Sequence, residues 1–355
     1  MRKIIKNIYR FGINPKKYIM EKSTHIIHHP ISKYPGFRQV DLVDFDSIKL
    51  FMFKNDNLYT HAVPDHRKRQ DPKRFAETLR NGDAVKAVPS IEDARTTRNP
   101  QYIIEAVLAH CWDSGVSAVF LDIGANTGLI GLRIARYAEQ SGEKLEVCLF
   151  EPGSSARLAA WNIDVNELAD RVQLRTEAVS DYSGMAIMHT IPGSSDGDRL
   201  TDESANSVDH VVPTVDILGL LKAAAGDNRV ALVKLDTEGL EPMLIARLES
   251  IRETFPTILF FEYMPWRYDT GKAGGFFEKL SETHSIYDLG YLPNPWHVRP
   301  IPKDELKNFE EEVRNRRFGY TDIMAIPDIT PGRNALCERL SSFREKPEKN
   351  LNLAD

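Results

Sequence analysis

Two strand-to-helix junctions and one strand end carry the residues whose types and spacing could do chemistry. In Leu121-Asp122-Ile123-Gly124-Ala125-Asn126-Thr127-Gly128 an acid closes an apolar run, and two glycines follow four residues apart. Gly124 lets the backbone approach a ligand with no Cβ in the way, and Gly128 lets the next helix begin close to the strand. Asn126 or Thr127 would cap that helix. Asp122 could order the turn amides or offset a cationic end of the ligand. The spacing is G-x-x-x-G, not the G-x-G-x-x-G of dinucleotide sites, so a ligand without a pyrophosphate is expected. Alone, the motif reads equally well as a tight turn. It gains weight from Leu149-Phe150-Glu151-Pro152, where an acid again closes a strand, 23 residues past Gly128. A carboxylate there is placed to accept from two ribose hydroxyls.

Glu177-Ala178-Val179-Ser180-Asp181 follows a third strand, where an adenine ring would lie. Glu177 or Asp181 could accept from its exocyclic amine, or a backbone amide could meet a ring nitrogen. Asp181-Tyr182-Ser183-Gly184 also reads as a plain turn.

Val233-Lys234-Leu235-Asp236-Thr237-Glu238-Gly239-Leu240-Glu241 places three carboxylates in six residues at the end of another strand. Asp236, at the terminus, is the best-placed general base, with Glu238 and Glu262 as further candidates. Glu238 could equally cap the next helix, and Glu241 suits the positive end of that helix. Asp236 and Glu262 could instead bind a hard divalent cation. Nothing in the spacing demands one, and no metal ligand is assigned. For an acceptor, Tyr263 or Trp266 could stack on a sugar ring and Arg267 could meet an acid. The alternative is that these aromatics fill the core and Arg267 is solvated. His297 is a weaker candidate base.

The elements that must hold these residues alternate. Apolar strands are expected at 116–121, 145–150, 172–175, 210–213, 230–235, 257–261, 285–289 and 321–326. Helices are expected at 127–138, 155–168, 215–224, 241–248 and 275–280. This pattern predicts an α/β fold, a doubly wound and mostly parallel sheet with helices on both faces. Ahead of it, strands at 38–43 and 47–53, a loop at 61–70 and a helix at 99–110 read as an N-terminal extension. The expected division is an extension over 1–110, a catalytic domain over 111–327 and a charged tail over 328–355.

The chain has 355 residues and a net charge of −5. Residues 1–100 carry an excess of +9, and the remainder carries −14. The basic segment, with a short amphipathic helix at 4–11, could touch a membrane surface or simply be a solvated face. No membrane span and no signal peptide are expected. The three cysteines are far apart and fit no zinc or disulfide pattern, which points to a cytoplasmic setting. An acidic second half argues against nucleic acid as the substrate.

Taken in order, Leu121–Gly128, Glu151-Pro152, Asn162 with Asn166, 178–181, Pro213-Thr214-Val215-Asp216, Lys234–Glu241 and Phe261-Glu262 resemble FkbM-type methyltransferases. The resemblance covers roughly residues 116–326. It implies a class I methyltransferase fold, S-adenosylmethionine as cofactor, and methylation of a hydroxyl on a glycan, polyketide or other metabolite. It also implies that Asp122, Gly124, Asn126, Gly128 and Glu151 hold the cofactor and that Asp236 lines the active site. The competing classes are an N-methyltransferase and a non-catalytic protein that binds S-adenosylmethionine. Oligomeric state is not readable.

Overall fold

The computed structural model describes residues 40–45, 48–53, 99–190, 200, 208–225, 229–266, 276–290, 298–316 and 319–342. The expected helix at 4–11, the loop at 61–70, Arg267 and His297 lie outside these residues. The chain divides into two compact units, each built from several segments. One comprises Met1–Asp93, Gly124–Ala178 and Met185–Pro213. The other comprises Ala94–Ile123, Val179–Gly184 and Thr214–Asp355.

In the second unit the chain runs through α1 (Asn99–Asp113), β3 (Ser117–Ile123), α4 (Ile217–Ala225), β9 (Arg229–Leu235), α5 (Glu241–Glu249) and β10 (Thr257–Tyr263). Then follow α6 (Phe276–Ser281), β11 (His284–Asp288), β12 (Arg299–Pro300), α7 (Leu306–Arg314), β13 (Thr321–Pro327) and α8 (Arg333–Ser342). The strands lie in the order β12-β11-β13-β10-β9-β3. β9 is parallel to both β3 and β10, with Leu121 opposite Val233 and Leu259 opposite Val233 on the other side. β13 runs antiparallel to β10 and β11. Val119, Phe120, Leu232, Val233 and Ile258 are fully buried, as expected of strands covered on both faces. Lys234 interrupts this run.

The first unit holds β1 (Val40–Phe45), β2 (Ile48–Phe53), α2 (Leu129–Gln140), β4 (Glu146–Phe150), α3 (Ala156–Val165) and β5 (Val172–Arg175). β4 and β5 are parallel. β1 and β2 form an antiparallel hairpin, and β2 packs against α2 and α3. Ile48 and Leu50 are buried. The short strands β6 (Ala178–Ser180), β7 (Gly184–Thr190) and β8 (Val208–Asp216) complete the chain order. Ala178, Met188 and Val212 form a small apolar cluster with Leu200 against it.

The fold is of the expected α/β class, with strands and helices alternating and parallel pairing among β3, β9 and β10 and between β4 and β5. Apart from the two-residue β12, four elements are additions to the sequence reading. β6 and β7 lie in a stretch read as polar. α7 and α8 lie where no helix was expected, each anchored by a few apolar side chains: Leu306, Phe309 and Val313 in one, Leu336 and Leu340 in the other.

Candidate functional site

Within the first unit, the turn after Ile123 is built from positive-φ backbone. Gly124 has φ 77°, Asn126 50° and Gly128 83°. Asparagine tolerates this region better than most residues, because its short polar side chain bonds locally. Gly128 itself caps α2, in place of the Asn126 or Thr127 side-chain cap expected from the sequence. A helix whose cap sits at φ 83° has no room for the side-chain geometry of an ordinary N-cap. A Cβ on Gly128 would stand 3.1 Å from Leu149 Cδ1, so the close approach of α2 to β4 does require glycine. The N–H groups of Gly124 and Ala125 both donate to Phe150 O, at 2.9 and 3.0 Å.

Glu151 is buried and organises the same loop. Its Oε2 accepts from the Asn126 N–H at 2.8 Å and its Oε1 from the Gly153 N–H at 2.7 Å. Glu177 pairs with Arg175, at 2.5 Å from Nη2, and this guanidinium holds its carboxyl below the usual range. Ala178 is buried in the small apolar cluster.

Within the second unit, a chain of charges runs along one end of the sheet. Asp122 and Lys234 are register partners on β3 and β9. Lys234 Nζ lies 3.6 Å from Asp122 Oδ1 and donates to Asp236 Oδ2 at 3.0 Å. Burial works against the ammonium, but Asp236 and Asp122 outweigh it and raise its pKa. The Asp236 N–H donates to Ile123 O at 2.9 Å, which fixes the end of β9 against the end of β3. The Asp236 side chain is 39% exposed. Asp236, Glu238 and Glu262 each present a carboxylate oxygen within 4.8 Å of the others. Such a trio could hold a hard cation. Burial, then Asp236 and Asp322, push the Glu262 carboxyl well up. Burial, then Asp236, push Asp322 up to about 7. Lys234, Asp236, Glu262 and Asp322 line one shallow pocket with Phe261 and Leu289.

The loop after Asp236 is held by Glu241. Its Oε1 accepts from the Thr237 N–H at 2.6 Å and the Thr237 hydroxyl at 2.8 Å, and its Oε2 from the Gly239 N–H at 2.9 Å. Glu238 adopts φ 59° in this turn and does not cap α5, whose N-cap is Leu240. Asp181 is exposed and accepts from the Ser180 hydroxyl at 3.3 Å.

Of the expected acceptor residues, Tyr263 is 1% exposed, with its ring 4.3 Å from that of Phe277. It fills the core, one of the two readings its position allowed. Trp266 is 57% exposed. Lys234 and Asp322 were given no role from the sequence. The signal for Lys234 was present: a single cation inside an apolar strand. Asp322 had none, because its partners come from β9 and β10.

Residues 122–292 match the family model of the methyltransferase FkbM domain. No curated protein sequence matches the chain. Among solved structures, the chain is similar to methyltransferase FkbM from Methylobacillus flagellatus KT, at 15% identity and a TM-score of 0.31, covering 48% of this chain and 39% of that one. It is similar to an O-methyltransferase family protein from Burkholderia thailandensis, at 13% identity and a TM-score of 0.27, covering 72% and 62%. It is also similar to a human methyltransferase 10 domain containing protein, at 9% identity and a TM-score of 0.30, covering 64% and 84%. The chain thus spans well under two thirds of the length of the Methylobacillus protein. Among the described residues, no helix is long and apolar enough to cross a membrane.

Proposed function

From the match of residues 122–292 to the methyltransferase FkbM domain, we propose that the protein methylates a hydroxyl oxygen of a small-molecule or glycan acceptor, with Asp236 as the general base. The cofactor is S-adenosylmethionine, which when bound supplies a methyl group on a sulfonium centre. The first unit's loop suits such a ligand. Its positive-φ backbone leaves no Cβ at Gly124, Gly128 brings α2 close to β4 behind it, and Glu151 offers a carboxylate to ribose hydroxyls. Gly124, Asn126, Gly128 and Glu151 would hold the cofactor, with Asp122 at the close of the preceding strand. Glu177, Ala178 and Asp181 are the proposed adenine-side residues, and Trp266 and Arg267 the proposed acceptor contacts.

The chain's own task is to orient the acceptor and take its proton. The observation that carries Asp236 into this role is its charge environment. Lys234 donates to one of the Asp236 carboxylate oxygens at 3.0 Å, while the Glu262 and Asp322 carboxyls beside it are pushed up. Asp236 is also solvent-accessible enough to meet an acceptor. The acceptor's proton passes to the Asp236 carboxylate as the oxygen–carbon bond forms and the sulfur–carbon bond breaks.

The experiment is a titration with S-adenosylmethionine and with NAD, followed by turnover on a panel of methyl glycosides and secondary alcohols. Asp236→Asn should keep cofactor affinity and slow methyl transfer by about 10²–10⁴-fold. A native enzyme whose activity vanishes with a chelator and returns with magnesium would move the trio from base to metal site. Binding of NAD but not S-adenosylmethionine would overturn the whole reading.

A further inference from the structure

Asn162 and Asn166 belong to the family resemblance but were given no role in the site, yet both are buried and hydrogen-bonded. Asn166 closes α3, and its carboxamide faces the edge of β2. Its Oδ1 accepts from the Lys49 N–H at 2.8 Å, and its Nδ2 donates to the Lys49 O at 2.6 Å. A primary amide offers one donor and one acceptor in the spacing of a peptide group. Here it stands in for the next strand of the sheet and satisfies an edge that burial would otherwise leave unpaired. The second Nδ2 hydrogen goes to Asn162 O at 2.7 Å. One turn earlier in the helix, Asn162 Nδ2 donates to Thr127 O at 2.8 Å. Thr127 lies between Asn126 and Gly128, inside the loop assigned to the cofactor.

The path therefore runs from the hairpin, through two asparagines on one face of α3, to the carbonyl that precedes the cap of α2. Thr127 is 78 residues from Lys49 in the chain, and three side-chain hydrogen bonds join them. Arg136, on α2, closes the circuit by donating from Nη2 to Asn166 O at 2.7 Å. Ile48 and Leu50, the neighbours of Lys49, are buried and clamp β2 in place, whereas the Lys49 side chain is exposed.

We infer that the β1–β2 hairpin is a working part of the cofactor site, and that Asn166 and Asn162 are positioning residues that transmit its hold to the Gly124–Gly128 loop. The inference rests on the reading of that loop as the S-adenosylmethionine site. The loop holds Asn126 at φ 50° between two glycines that adopt positive φ freely, and a non-glycine residue in that region persists where its surroundings hold it. Glu151 and Phe150 O hold its first half from β4. Asn162 holds its second half, and the hairpin fixes Asn162 through Asn166.

The test uses S-adenosylhomocysteine as the probe, so no acceptor is needed, with the dissociation constant and the melting temperature read for each variant. Asn162→Ala should raise the dissociation constant about tenfold, the effect of one buried hydrogen bond lost at the site. Lys49→Pro removes the N–H that Asn166 accepts, at a position whose N–H and C=O both face away from β1, so no hairpin bond is lost. It should raise the dissociation constant about threefold or more, on the same hydrogen-bond scale. Lys49→Ala, which keeps the backbone groups, should change it less than twofold. The double variant Asn162→Ala with Lys49→Pro should bind no worse than Asn162→Ala alone, because both changes cut one path. If Lys49→Pro does not fold, Asn166→Ala cuts the path at the same link. Unchanged affinity with a lowered melting temperature would make the asparagines a stability element and overturn the inference. Additive losses would place the two ends on separate routes and overturn it as well. A wild-type protein that does not bind S-adenosylhomocysteine would instead remove the cofactor reading itself, a result visible before any variant is made.

Discussion

Asp322 should make the protein less stable as the pH rises through neutrality, and Asp322→Asn should abolish that loss. Its carboxyl is pushed up to about 7 by burial and by Asp236, from an ordinary value near 4 in an unfolded chain. An acid whose folded pKa is raised binds its proton more tightly in the native state. Its contribution is therefore full below about pH 4 and is lost as the pH rises toward 7. At 1.36 kcal/mol per pH unit, the rise from near 4 to about 7 corresponds to about 4 kcal/mol over the whole range from below pH 4 to above pH 7. Glu262 has the same sign, since its pKa is raised too. His284 has the opposite sign. Burial and Arg252 push it down to about 4, so its contribution is present above its ordinary value and lost as the pH falls. The comparison must therefore be a double difference. Urea unfolding of the wild type and of Asp322→Asn at pH 5 and pH 8 gives it: because part of the contribution is already lost at pH 5, the variant should gain on the wild type by about 2–3 kcal/mol between the two pH values. A gap that does not change with pH would show that Asp322 is ionised in the native state at both, and would refute the charge arrangement drawn around Lys234.

Glu151→Ala should weaken S-adenosylmethionine binding about 10- to 100-fold, or roughly 1.5–3 kcal/mol, in a calorimetric titration. Because Glu151 also accepts from Asn126 and Gly153, its melting temperature should fall as well, and an unchanged dissociation constant would end its role in binding. Gly124→Val should abolish cofactor binding, since a β-branched residue at φ 77° is strained and its side chain would occupy the approach of the ligand; normal binding by a folded variant would move the cofactor elsewhere.

The regular part of the fold was legible because its strands are short apolar runs closed by polar turns. The strand at 172–175 was placed to the residue, and β3, β4, β9 and β10 to within two. β7 was missed for a physical reason. Its outward side chains include Met185 and Ile187, both exposed, so the strand shows no polar alternation to read. α8 was missed because only Leu336 and Leu340 are fully buried within it, too few to mark a helix. At the site, the acids at strand ends were legible from their positions. What holds them was not. Lys234 reaches Asp122 across a strand pair, Glu241 reaches back to Thr237 and Gly239, and Asn166 meets Lys49 across 117 residues. No periodicity encodes such contacts.

The Asp122–Lys234–Asp236 set also bears on why this strand carries charge at all. Lys234 occupies a position in β9 flanked by Val233 and Leu235, both fully buried. Placing an ammonium there costs several kcal/mol of lost hydration, which its carboxylate partners repay only in part. An apolar residue of similar volume would serve the sheet as well or better. Stability therefore gives no reason for lysine in this strand, whereas the group of carboxyls that lines one pocket with it gives a direct one. Lys234 donates to Asp236, and the Glu262 and Asp322 carboxyls beside it are pushed up. The same cation spans β3 and β9, since it also faces Asp122, one residue before the Ile123 carbonyl that receives the Asp236 N–H. Asp236 and the strand that leads into the Gly124 turn are thus tied by one side chain and one backbone bond.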